Sequence, residues 1–397
     1  MISVEDAKRL VSRHSKTLPA TNTPIELAVG KVISAGISSP VNLPPFHQSA
    51  MDGYAFRFLD FQKKISLNIV AEVAAGYTHT EKLKKGQAVR IFTGASLPEG
   101  ADTVVIQERA KTNGRQLIIE DIEIQKGANV RQLGSQVKKG QTALPKNTLI
   151  NPGGVGYLAA MGIASIQTIS TPKISVIITG SELVPPGAAL GNGQIYESNS
   201  YTLKAAMHSI GLQAFKIYSV QDNLQLTLKT IQRAIAQSDM VLITGGISVG
   251  EYDYVGKALH QLGVKNIFYK INQKPGKPLF FGKKDETILF GLPGNPAAVL
   301  SCFYEYVFPA INKMMGKKDL FLKKLSLPIS INYPKKAGLA LFLKGRITNE
   351  SVLPLEGQES YILSSFSQAD CIIYLHADRK NLKVGEMVEV HLLPGLY

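Results

Sequence analysis

The spacing of apolar and polar residues changes twice along the chain. Between residues 172 and 320, short apolar runs rich in β-branched residues alternate with amphipathic stretches, whereas the flanking regions alternate apolar and polar residues over short distances. Apolar runs separated by helices are typical of a doubly wound, mostly parallel sheet, and short alternating segments are typical of small β domains. The sequence therefore predicts a multidomain α/β protein.

These changes in pattern divide the chain into four predicted domains. They are an elongated N-terminal domain made of residues 1–40 and 136–171, a small β domain at 41–135, an α/β domain at 172–320 and a C-terminal β domain at 321–397. At the start of the first domain, Ser3 can cap a helix with Asp6 three residues on. A series of prolines follows and excludes further helix up to Pro45.

The α/β domain contains four predicted strands, of which 174–179 and 240–243 are expected to be buried, and the helices between them. The predicted strands lie at 174–179, 215–220, 240–243 and 288–290, and the predicted helices lie at 198–210, from 224, at 254–262 and from 296. Asp222 and Gln225 resemble a capping box for the helix that begins at 224, which gives Asp222 a purely structural explanation.

Three of the predicted strands run into loops, at 179–180, 244–246 and 291–296. In doubly wound sheets, ligands bind beyond the carboxyl ends of the strands, so these loops should share one crevice. In the second loop, Gly245 and Gly246 lack Cβ atoms, which lets backbone N–H groups approach and cradle an anion.

Acidic residues follow this glycine loop. The spacing from Gly245 to Gly250 begins like a Walker loop, but Glu251 stands where that loop has its lysine. Glu251 and Asp253 place carboxylates beside the predicted anion, an arrangement that favours a divalent cation between them. A solvated turn entering a helix explains the same residues, and both interpretations stay open.

A lysine-rich segment, KINQKPGKP, lies between the second and third loops. It carries Lys270, Lys274 and Lys277. Closely spaced lysines usually mark a solvated surface. Here the prolines and the glycine of the segment keep the chain out of helix, so the amines stand on a constrained loop beside two glycine turns. An anion-binding role and a solvated surface therefore fit this segment about equally well.

Candidate residues in the other domains have ordinary structural explanations. Asp52 lies in a polar turn and can bond its own backbone. Arg131 could bind an anion, although an exposed structural arginine explains it as well. Arg346 and Ser364 lie in the predicted C-terminal β domain, where the pattern alone assigns them no role.

Composition narrows the class of protein. The chain has 397 residues, of which 45% are hydrophobic, enough for substantial cores. No apolar targeting segment or membrane-length apolar run is present, which predicts a cytoplasmic location. The two cysteines, Cys302 and Cys371, are each set in an apolar run and are predicted to be buried free thiols. The net charge of +14 could suit nucleic acid, but the lysines are scattered and no RNA-binding or helix-turn-helix signature accompanies them, and an anionic small substrate fits the charge as well. The prediction therefore includes small-molecule substrates but neither nucleic acid nor a membrane as partner.

Five segments, taken together, resemble one enzyme family. They are the SAMDGYA core of residues 44–56, FTGA at 92–95, TGGISVGEYD, KPGKP and GLPGNPAA. In this order and over positions 44–298, they resemble the molybdopterin molybdenumtransferase family, which includes the enzymatic domain of gephyrin. The resemblance extends over the whole chain, but after Phe321 it is carried by pattern more than by motif.

The resemblance implies a molybdopterin-binding fold and a transferase of molybdenum cofactor biosynthesis. Such enzymes insert molybdate into the dithiolene of adenylylated molybdopterin and release AMP, with Mg²⁺ present. The family also implies a homodimer whose active site lies between the subunits. Lysines, glycine amides and a metal suit this chemistry, because a pyrophosphate and a molybdate dianion both need positive charge around them.

The resemblance also implies roles for individual residues. It implies catalytic roles for Asp52, Thr93, Glu182, Asp222 and Asp253, with Asp222 and Asp253 at the metal. It implies substrate binding by Arg131, Gly245, Gly246, Ser248, Gly250, Lys270, Lys274, Lys277, Pro278, Pro293, Asn295 and, in a molybdate pocket of the C-terminal domain, Arg346 and Ser364.

Two departures from the family pattern remove acidic groups. Where the family commonly has Gly-Glu-Asp, this chain has Gly134, Ser135 and Gln136, and where the family often has Thr-Gly-Asp-Glu-Leu, the aspartate is replaced by Ser181. A neutral amide at Gln136 cannot act as a base or bind a metal strongly. The remaining acids, Asp222, Asp253 and Glu182, lead us to expect activity.

Two alternative functions remain. The first is adenylylation of molybdopterin with ATP on the same α/β core, but stand-alone enzymes of that kind have little beyond this domain. The second is a non-catalytic scaffold that resembles the receptor-clustering role of gephyrin. No extra partner domain supports a scaffold, and the intact set of acids and lysines argues against an inactive site.

Overall fold

The computed structural model describes residues 1–77, 79–246 and 254–395. The chain divides into two compact units, one made of Met1–Thr21, Gly30–Val32 and Ile169–Tyr397, and the other made of Asn22–Val29 and Ile33–Thr168. The finer division into four domains stays a prediction. Within the described ranges, no helix is both long and apolar enough to span a membrane.

The first element is helix α1 (Val4–His14), which begins as the sequence predicts. The Ser3 hydroxyl accepts a hydrogen bond from the Asp6 N–H at 3.0 Å and donates one to the Asp6 carboxylate. This reciprocal pair satisfies an N–H group that the first helical turn leaves free. Val4, Ala7 and Val11 are buried along one face, so the helix is held by packing as well as by its cap.

The unit formed by residues 22–29 and 33–168 is mostly β structure. Its elements, including strands that reach into its borders, are β1 (Ala20–Pro24), β2 (Ile37–Ser38), β3 (Gln48–Ser49), β4 (Gly53–Phe56), α2 (Phe58–Gln62), β5 (Leu67–Val73), β6 (Gln87–Ile91), β7 (Thr103–Ile106), β8 (Ala110–Asn113), β9 (Gln116–Ile119), β10 (Val130–Arg131), β11 (Thr142–Leu144), α3 (Pro152–Ala160) and β12 (Ser165–Ile169). Its main sheet has the order β7-β4-β6-β5-β9-β8. The predicted small β structure is therefore present.

The larger unit contains the predicted α/β region. Its elements from 174 to 314 are β13 (Ile174–Thr179), β14 (Leu183–Val184), β15 (Ile195–Tyr196), α4 (Asn199–Ser209), β16 (Phe215–Val220), α5 (Leu224–Gln237), β17 (Met240–Thr244), α6 (Tyr254–Gln261), β18 (Lys265–Tyr269), β19 (Gln273–Lys274), β20 (Phe280–Lys284), β21 (Thr287–Leu292), α7 (Pro296–Cys302) and α8 (Phe308–Met314). A π-helical turn (Phe303–Val307) joins α7 to α8.

The central sheet has the order β16-β13-β17-β21-β20-β18. The first four strands are mutually parallel, and β20 is antiparallel to both of its neighbours. Side chains of β17 alternate between two apolar clusters, with Met240 and Leu242 in one and Val241 and Ile243 in the other. Both faces of the sheet are thus covered, and the predicted doubly wound, mostly parallel sheet is confirmed. The strands β18 and β20 were not predicted.

One predicted helix cap is wrong. Helix α5 is capped by Asn223, whose carboxamide oxygen accepts hydrogen bonds from the N–H groups of Gln225 and Leu226 at 3.0 Å each. Asp222 therefore does not cap α5, because the chain enters the helix one residue later than the capping-box pattern indicated. Its carboxylate instead accepts a hydrogen bond from the Ser181 N–H.

The C-terminal region forms most of a third six-stranded sheet, and this β structure agrees with the alternating pattern. Its strands are β22 (Lys324–Pro328), β23 (Ala340–Thr348), β24 (Ser351–Pro354), β25 (Cys371–Leu375) and β26 (Met387–Leu392). The order is β19-β23-β25-β26-β22, with β24 beside β23. The short strand β19 runs parallel to β23, so the lysine-rich segment belongs to this sheet. Cys302 and Cys371 are buried free thiols, as predicted.

A buried chain of charged groups joins α1, the π-helical turn and the C-terminal sheet. The Glu305 carboxylate contacts the Lys8 ammonium at 2.5 Å and His391 Nδ1 at 2.7 Å. His391 Nε2 lies 2.7 Å from Glu389, which also pairs with Lys324 at 2.6 Å. Glu305 and His391 are both nearly inaccessible to solvent. Each buried charge has a partner, which is the condition for tolerating it in the interior.

The same contacts set the charge states. Burial alone would raise the pKa of Glu305, but Lys8 and His391 lower it to about 2. Burial alone would lower the pKa of His391, but the carboxylates of Glu305 and Glu389 outweigh burial and raise it. A protonated imidazole between two carboxylates therefore joins the helix to the sheet.

This chain of charges predicts a loss of stability at alkaline pH. Because the pKa of His391 is raised on folding, its contribution is complete below the unfolded value of about 6.5 and is lost as pH rises through the folded value. We expect His391→Gln to lower the free energy of unfolding by about 2 kcal/mol at pH 6 and to weaken this alkaline loss. Denaturant melts between pH 5 and pH 9 measure both effects.

The control for this measurement is His260→Gln, since His260 is exposed on α6. The control should retain the pH dependence of the parent chain. A parent chain whose stability is flat above pH 6, or a His391→Gln variant that keeps the full pH dependence, contradicts the proposed charge state.

Candidate functional site

The loops that follow the parallel strands surround one crevice of about 730 Å³. Its lining includes Thr179 and Gly180 at the end of β13, Gly245 and Gly246 after β17, and residues 292–295 at the end of β21 and beyond it. Paired residues at the strand ends, such as Ile178 with Thr244 and Thr244 with Leu292, bring the three loops to one level. The predicted shared crevice is thus confirmed.

The glycine loop after β17 depends on the absence of side chains. Gly245 and Gly246 have φ angles of +80° and +62°, a region that favours glycine. A Cβ atom on Gly245 would lie 2.7 Å from the Thr179 carbonyl oxygen, and one on Gly246 would lie 2.7 Å from the Val255 side chain. Ser248, Gly250, Glu251 and Asp253, which were predicted to continue this site, lie outside the described residues.

One side of the crevice is acidic. The Ser181 N–H donates to the Asp222 carboxylate at 3.0 Å, and the Asp222 N–H donates to the Ser181 hydroxyl at the same distance. Asp222 and Glu182 are both exposed and line the crevice. The serine that replaces a family aspartate thus helps to orient Asp222 without adding a charge.

The positively charged residues of the crevice belong to the lysine loop, which we define as residues 274–278. All of its residues line the crevice, including Lys274, Lys277 and Pro278. Lys274 and Lys277 are exposed, and neither forms an ion pair within the part of the chain that the structure describes. Lys270 is not part of the lining, and its ammonium lies 5.1 Å from the centre of the Tyr269 ring. The structure therefore brings two of the three predicted lysines to the crevice.

The third loop is held by the C-terminal region. Asn295 donates its side-chain amide to the Ser360 hydroxyl at 2.7 Å, and the Ser360 carbonyl accepts the N–H groups of Ala297 and Ala298 at 3.1 and 3.2 Å. The first amides of α7 are therefore already used within the protein. Pro293 and Asn295, two of the predicted substrate-binding residues, line the crevice. Ser360 also lines it but was not predicted.

The crevice also includes Gln273, Leu339 and Ala298, which the sequence analysis missed. In the sequence, Gln273 is one residue of a polar run, and no feature of the pattern indicates that its side chain is buried at the crevice. Leu339 and Ser360 come from the C-terminal region, which reaches the crevice through the pairing of β19 with β23 and through the hydrogen bonds of Ser360 to the start of α7. A two-residue strand is too short for hydrophobic periodicity to indicate it.

Arg346 and Ser364, the predicted residues of the C-terminal region, are absent from the lining among the described residues. Arg346 donates to the Gln368 carbonyl and to the Gln368 side chain at 3.2 Å each. Ser364 is exposed, and its carbonyl accepts a hydrogen bond from the Ser367 hydroxyl at 2.6 Å. These contacts give Arg346 a local structural role.

The smaller unit carries the predicted residues Asp52, Thr93 and Arg131. The Asp52 carboxylate accepts hydrogen bonds from the Thr93 N–H and the Thr93 hydroxyl, both at 2.8 Å, and these bonds lower the pKa of Asp52. The prediction that the Asp52 side chain bonds its own turn is wrong. Its partner, Thr93, follows β6, the strand that pairs with β4 in the sheet. Arg131 is exposed on β10, which pairs with β3.

The residues of the acidic side suit a magnesium ion. No cluster of three or more His, Cys, Asp or Glu side chains able to hold a metal occurs among the residues that the structure describes. The crevice nevertheless has two exposed carboxylates, on Glu182 and Asp222, and one Asp222 oxygen is free of the Ser181 N–H bond. Mg²⁺ prefers one or two carboxylates together with water and substrate phosphate. Such a donor set fits this cation.

The chain matches three sequence families in succession. Residues 2–162 match "MoeA N-terminal region (domain I and II)", residues 175–313 match "Probable molybdopterin binding domain", and residues 326–393 match "MoeA C-terminal region (domain IV)". The matched segments together span most of the chain, including every loop of the crevice described above.

Curated relatives and solved structures agree with these matches. The chain is 35% identical over 381 residues to the molybdopterin molybdenumtransferase of Haemophilus influenzae, covering 93% of this chain and 94% of the relative. It is 38% identical over 297 residues to that of a Nostoc species, covering 73% and 68%. A crystal structure of the molybdopterin biosynthesis MoeA protein of Pyrococcus horikoshii is similar over 99% of this chain and all of that chain, with a TM-score of 0.82 and 28% identity.

The shape of the lysine loop predicts a strong effect of Gly276→Ala. Gly276 has a φ of +78°, and an added Cβ would lie 2.3 Å from the sulfur of Cys302. We expect this variant to lose about 1 to 3 kcal/mol more stability than Gly385→Ala, because Gly385 has a φ of +86° but open space around it. Denaturant melts measure the free energy of unfolding of both variants. The loss in Gly385→Ala reports backbone strain alone, and the further loss in Gly276→Ala reports the overlap with Cys302.

A double variant sharpens this test. Cys302→Ala removes the sulfur that the new Cβ would meet, so it should recover part of the loss when combined with Gly276→Ala. Equal losses in Gly276→Ala and Gly385→Ala, or no recovery in the double variant, would contradict the described packing.

Proposed function

The chain belongs to the molybdopterin molybdenumtransferase family, and on that premise we propose that it inserts molybdate into the dithiolene of adenylylated molybdopterin and releases AMP. It is a transferase of molybdenum cofactor biosynthesis. Two Mo–S bonds form as the two thiols of the dithiolene lose their protons, and one oxo ligand of molybdate leaves with these protons as water. A second water cleaves the phosphoanhydride bond, which releases AMP and leaves the phosphate on molybdopterin. The product is molybdenum cofactor.

The observation that carries the proposal is the meeting of opposite charges in one crevice. Glu182 and Asp222 line it together with Lys274 and Lys277 of the lysine loop. A substrate with a pyrophosphate and a molybdate dianion needs cationic groups for its oxygens and carboxylates for a metal. A crevice of about 730 Å³ is also within the usual range for small-molecule sites.

Each group has a defined task in this proposal. Lys274 and Lys277 bind oxyanions through charge-assisted hydrogen bonds and offset the charge that develops when AMP departs. Gly245 and Gly246 leave room for the substrate to approach the backbone. Asn295 remains tied to Ser360, so it shapes the loop after β21 instead of reaching the phosphates.

Asp222 and Glu182 are the described residues that would hold Mg²⁺, and we propose that Asp253 joins them. When bound, Mg²⁺ neutralises pyrophosphate oxygens and polarises the bond that is cleaved. The hydrogen bonds between Asp222 and Ser181 fix the direction of the carboxylate, which is needed for a preorganised ligand. The chain can thus do without the acid that the family often has at position 181.

The proposal includes a homodimer in the cytoplasm. In the family arrangement, the N-terminal region of one subunit reaches the crevice of its partner, so Asp52, Thr93 and Arg131 would act in the partner's site. The Thr93 hydrogen bonds keep the Asp52 carboxylate ionised, as expected for a group that contacts a cation or an amine. The resemblance also implies molybdate binding by Arg346 and Ser364, but neither lines the crevice among the described residues, so we assign the molybdate of this proposal to the lysine loop.

A direct assay separates this function from adenylylation of molybdopterin and from a non-catalytic scaffold. The purified protein is incubated with adenylylated molybdopterin, molybdate and Mg²⁺, and AMP is measured. Release of AMP that requires molybdate supports the proposal. Formation of adenylylated molybdopterin from ATP and molybdopterin identifies an adenylyltransferase, and the absence of both reactions favours a scaffold.

Substitution of the lysines tests the oxyanion side. We expect Lys274→Met and Lys277→Met each to weaken molybdate binding by up to about tenfold, the size of one charge-assisted hydrogen bond. Lys270→Met is the matched control, because Lys270 lies in the same segment but does not line the crevice. Equilibrium dialysis with molybdate measures the affinities. Equal effects of all three variants would contradict the assignment.

Asp222→Asn tests the acidic side. The asparagine oxygen can still accept the Ser181 N–H bond, so we expect the fold to persist while AMP release falls by at least about tenfold. Higher Mg²⁺ concentrations should be needed for half-maximal rate. Asp285→Asn, in an exposed turn between β20 and β21, is the control. Unchanged AMP release in Asp222→Asn would remove Asp222 from the metal site.

A further inference from the structure

A single buried carboxamide lies beneath the lysine loop. Gln273 is only 1% exposed although its neighbour Lys274 is exposed. Its side-chain NH₂ group donates to the carbonyls of Pro275 and Gly276 at 3.1 and 3.2 Å. Its side-chain oxygen accepts a short hydrogen bond from the Tyr306 hydroxyl. The carboxamide thus uses both of its donor hydrogens and its acceptor oxygen inside the protein.

The π-helical turn supplies the partner of this carboxamide. Tyr306 lies on that turn and is completely buried, and burial raises its pKa well above the usual range, so it remains a hydrogen-bond donor. Cys302, one turn earlier, packs against Gly276. The loop is therefore held from below by a helix whose own position depends on the apolar core.

The orientation of the loop carbonyls determines where the loop N–H groups point. The peptide bonds from Pro275 to Gly276 and from Gly276 to Lys277 are trans, so in each one the N–H is directed opposite to the C=O. Since both carbonyls point to the Gln273 carboxamide, the N–H groups of Gly276 and Lys277 point away from it. Neither N–H donates to another group within the described ranges, and both residues line the crevice.

We propose that Gln273 and Tyr306 are positioning residues that hold the lysine loop with the N–H groups of Gly276 and Lys277 turned toward an oxyanion in the crevice. The two N–H groups and the ammonium groups of Lys274 and Lys277 form one anion cradle. Without the carboxamide, both peptide units lose the hydrogen bonds that fix the direction of their carbonyls, and the N–H groups beside the lysines are no longer held in one orientation. The identity of the anion as molybdate rests on the proposed function.

Molybdate affinity tests this role. We expect Gln273→Met, which keeps the volume but removes the hydrogen bonds, to weaken molybdate binding by about tenfold in equilibrium dialysis. Tyr306→Phe removes only the anchor of the carboxamide, so a smaller loss of about threefold is expected. Because Tyr306 acts through Gln273, the double variant should bind molybdate no more weakly than Gln273→Met alone.

Tyr374→Phe is the matched control for loss of a buried tyrosine hydroxyl. Tyr374 donates to Glu5 at 2.6 Å and does not line the crevice. If Gln273 and Tyr306 only stabilise the fold, all three single variants will melt at lower temperature but bind molybdate like the parent chain. That result overturns the proposal. If Gln273→Met does not fold, a normal molybdate affinity of Tyr306→Phe overturns it equally.

The readout separates this proposal from the function on which it rests. A parent chain that binds molybdate but releases no AMP contradicts the proposed transferase reaction and leaves the affinity comparison valid. Variants that release AMP with the parent KM for molybdate and bind it equally well contradict the positioning role alone. A parent chain that does not bind molybdate contradicts both.

Discussion

The alignment of parallel strand ends is the constraint on which this molecule depends. Four parallel strands covered on both faces must end at one edge, and their backbone groups and following loops are therefore delivered to one place. Strand β17 is buried on both faces, so the close packing of its side chains in the two apolar clusters, and not an alternation of apolar and polar residues, fixes its register. The glycine loop, the acidic side and the third loop of the crevice all follow from this arrangement.

The C-terminal sheet and the segments around it supply the remaining parts of the crevice. Strand β19 joins the lysine loop to β23, and Ser360 holds the first turn of α7. The helix that continues from α7 contains a π-helical turn, which directs Tyr306 toward Gln273 and Glu305 toward Lys8 and His391. Local π-helical turns are often found at functional sites, where one extra residue redirects side chains. The crevice and the charged chain between α1 and β26 thus share one structural element.

The sequence was sufficient for the parts of the fold that depend on long apolar runs. The strands β13 and β17 and the helix α4 lie where hydrophobic periodicity predicts them, since each is buried along its whole length or one face. Strand β16 also lies where it was predicted, although it is an edge strand with only Val220 buried. The cap of α5 was assigned to Asp222 because two neighbouring polar residues fit the same pattern, and only the backbone path distinguishes Asn223. Gln273, Leu339 and Ser360 could not be predicted, because their positions depend on a two-residue strand and on contacts between distant segments. The lysine segment was recognised by charge, but charge alone could not separate Lys270 from Lys274 and Lys277.

The central claim is that oxyanions bind where the lysine loop faces the ends of the parallel strands. Its most direct test is X-ray diffraction from crystals of the protein equilibrated with molybdate, recorded near the molybdenum absorption edge. The account predicts an anomalous peak in the crevice, within hydrogen-bonding distance of Lys274 or Lys277. A peak bound only outside the crevice, or none at concentrations that saturate the protein in solution, would contradict it.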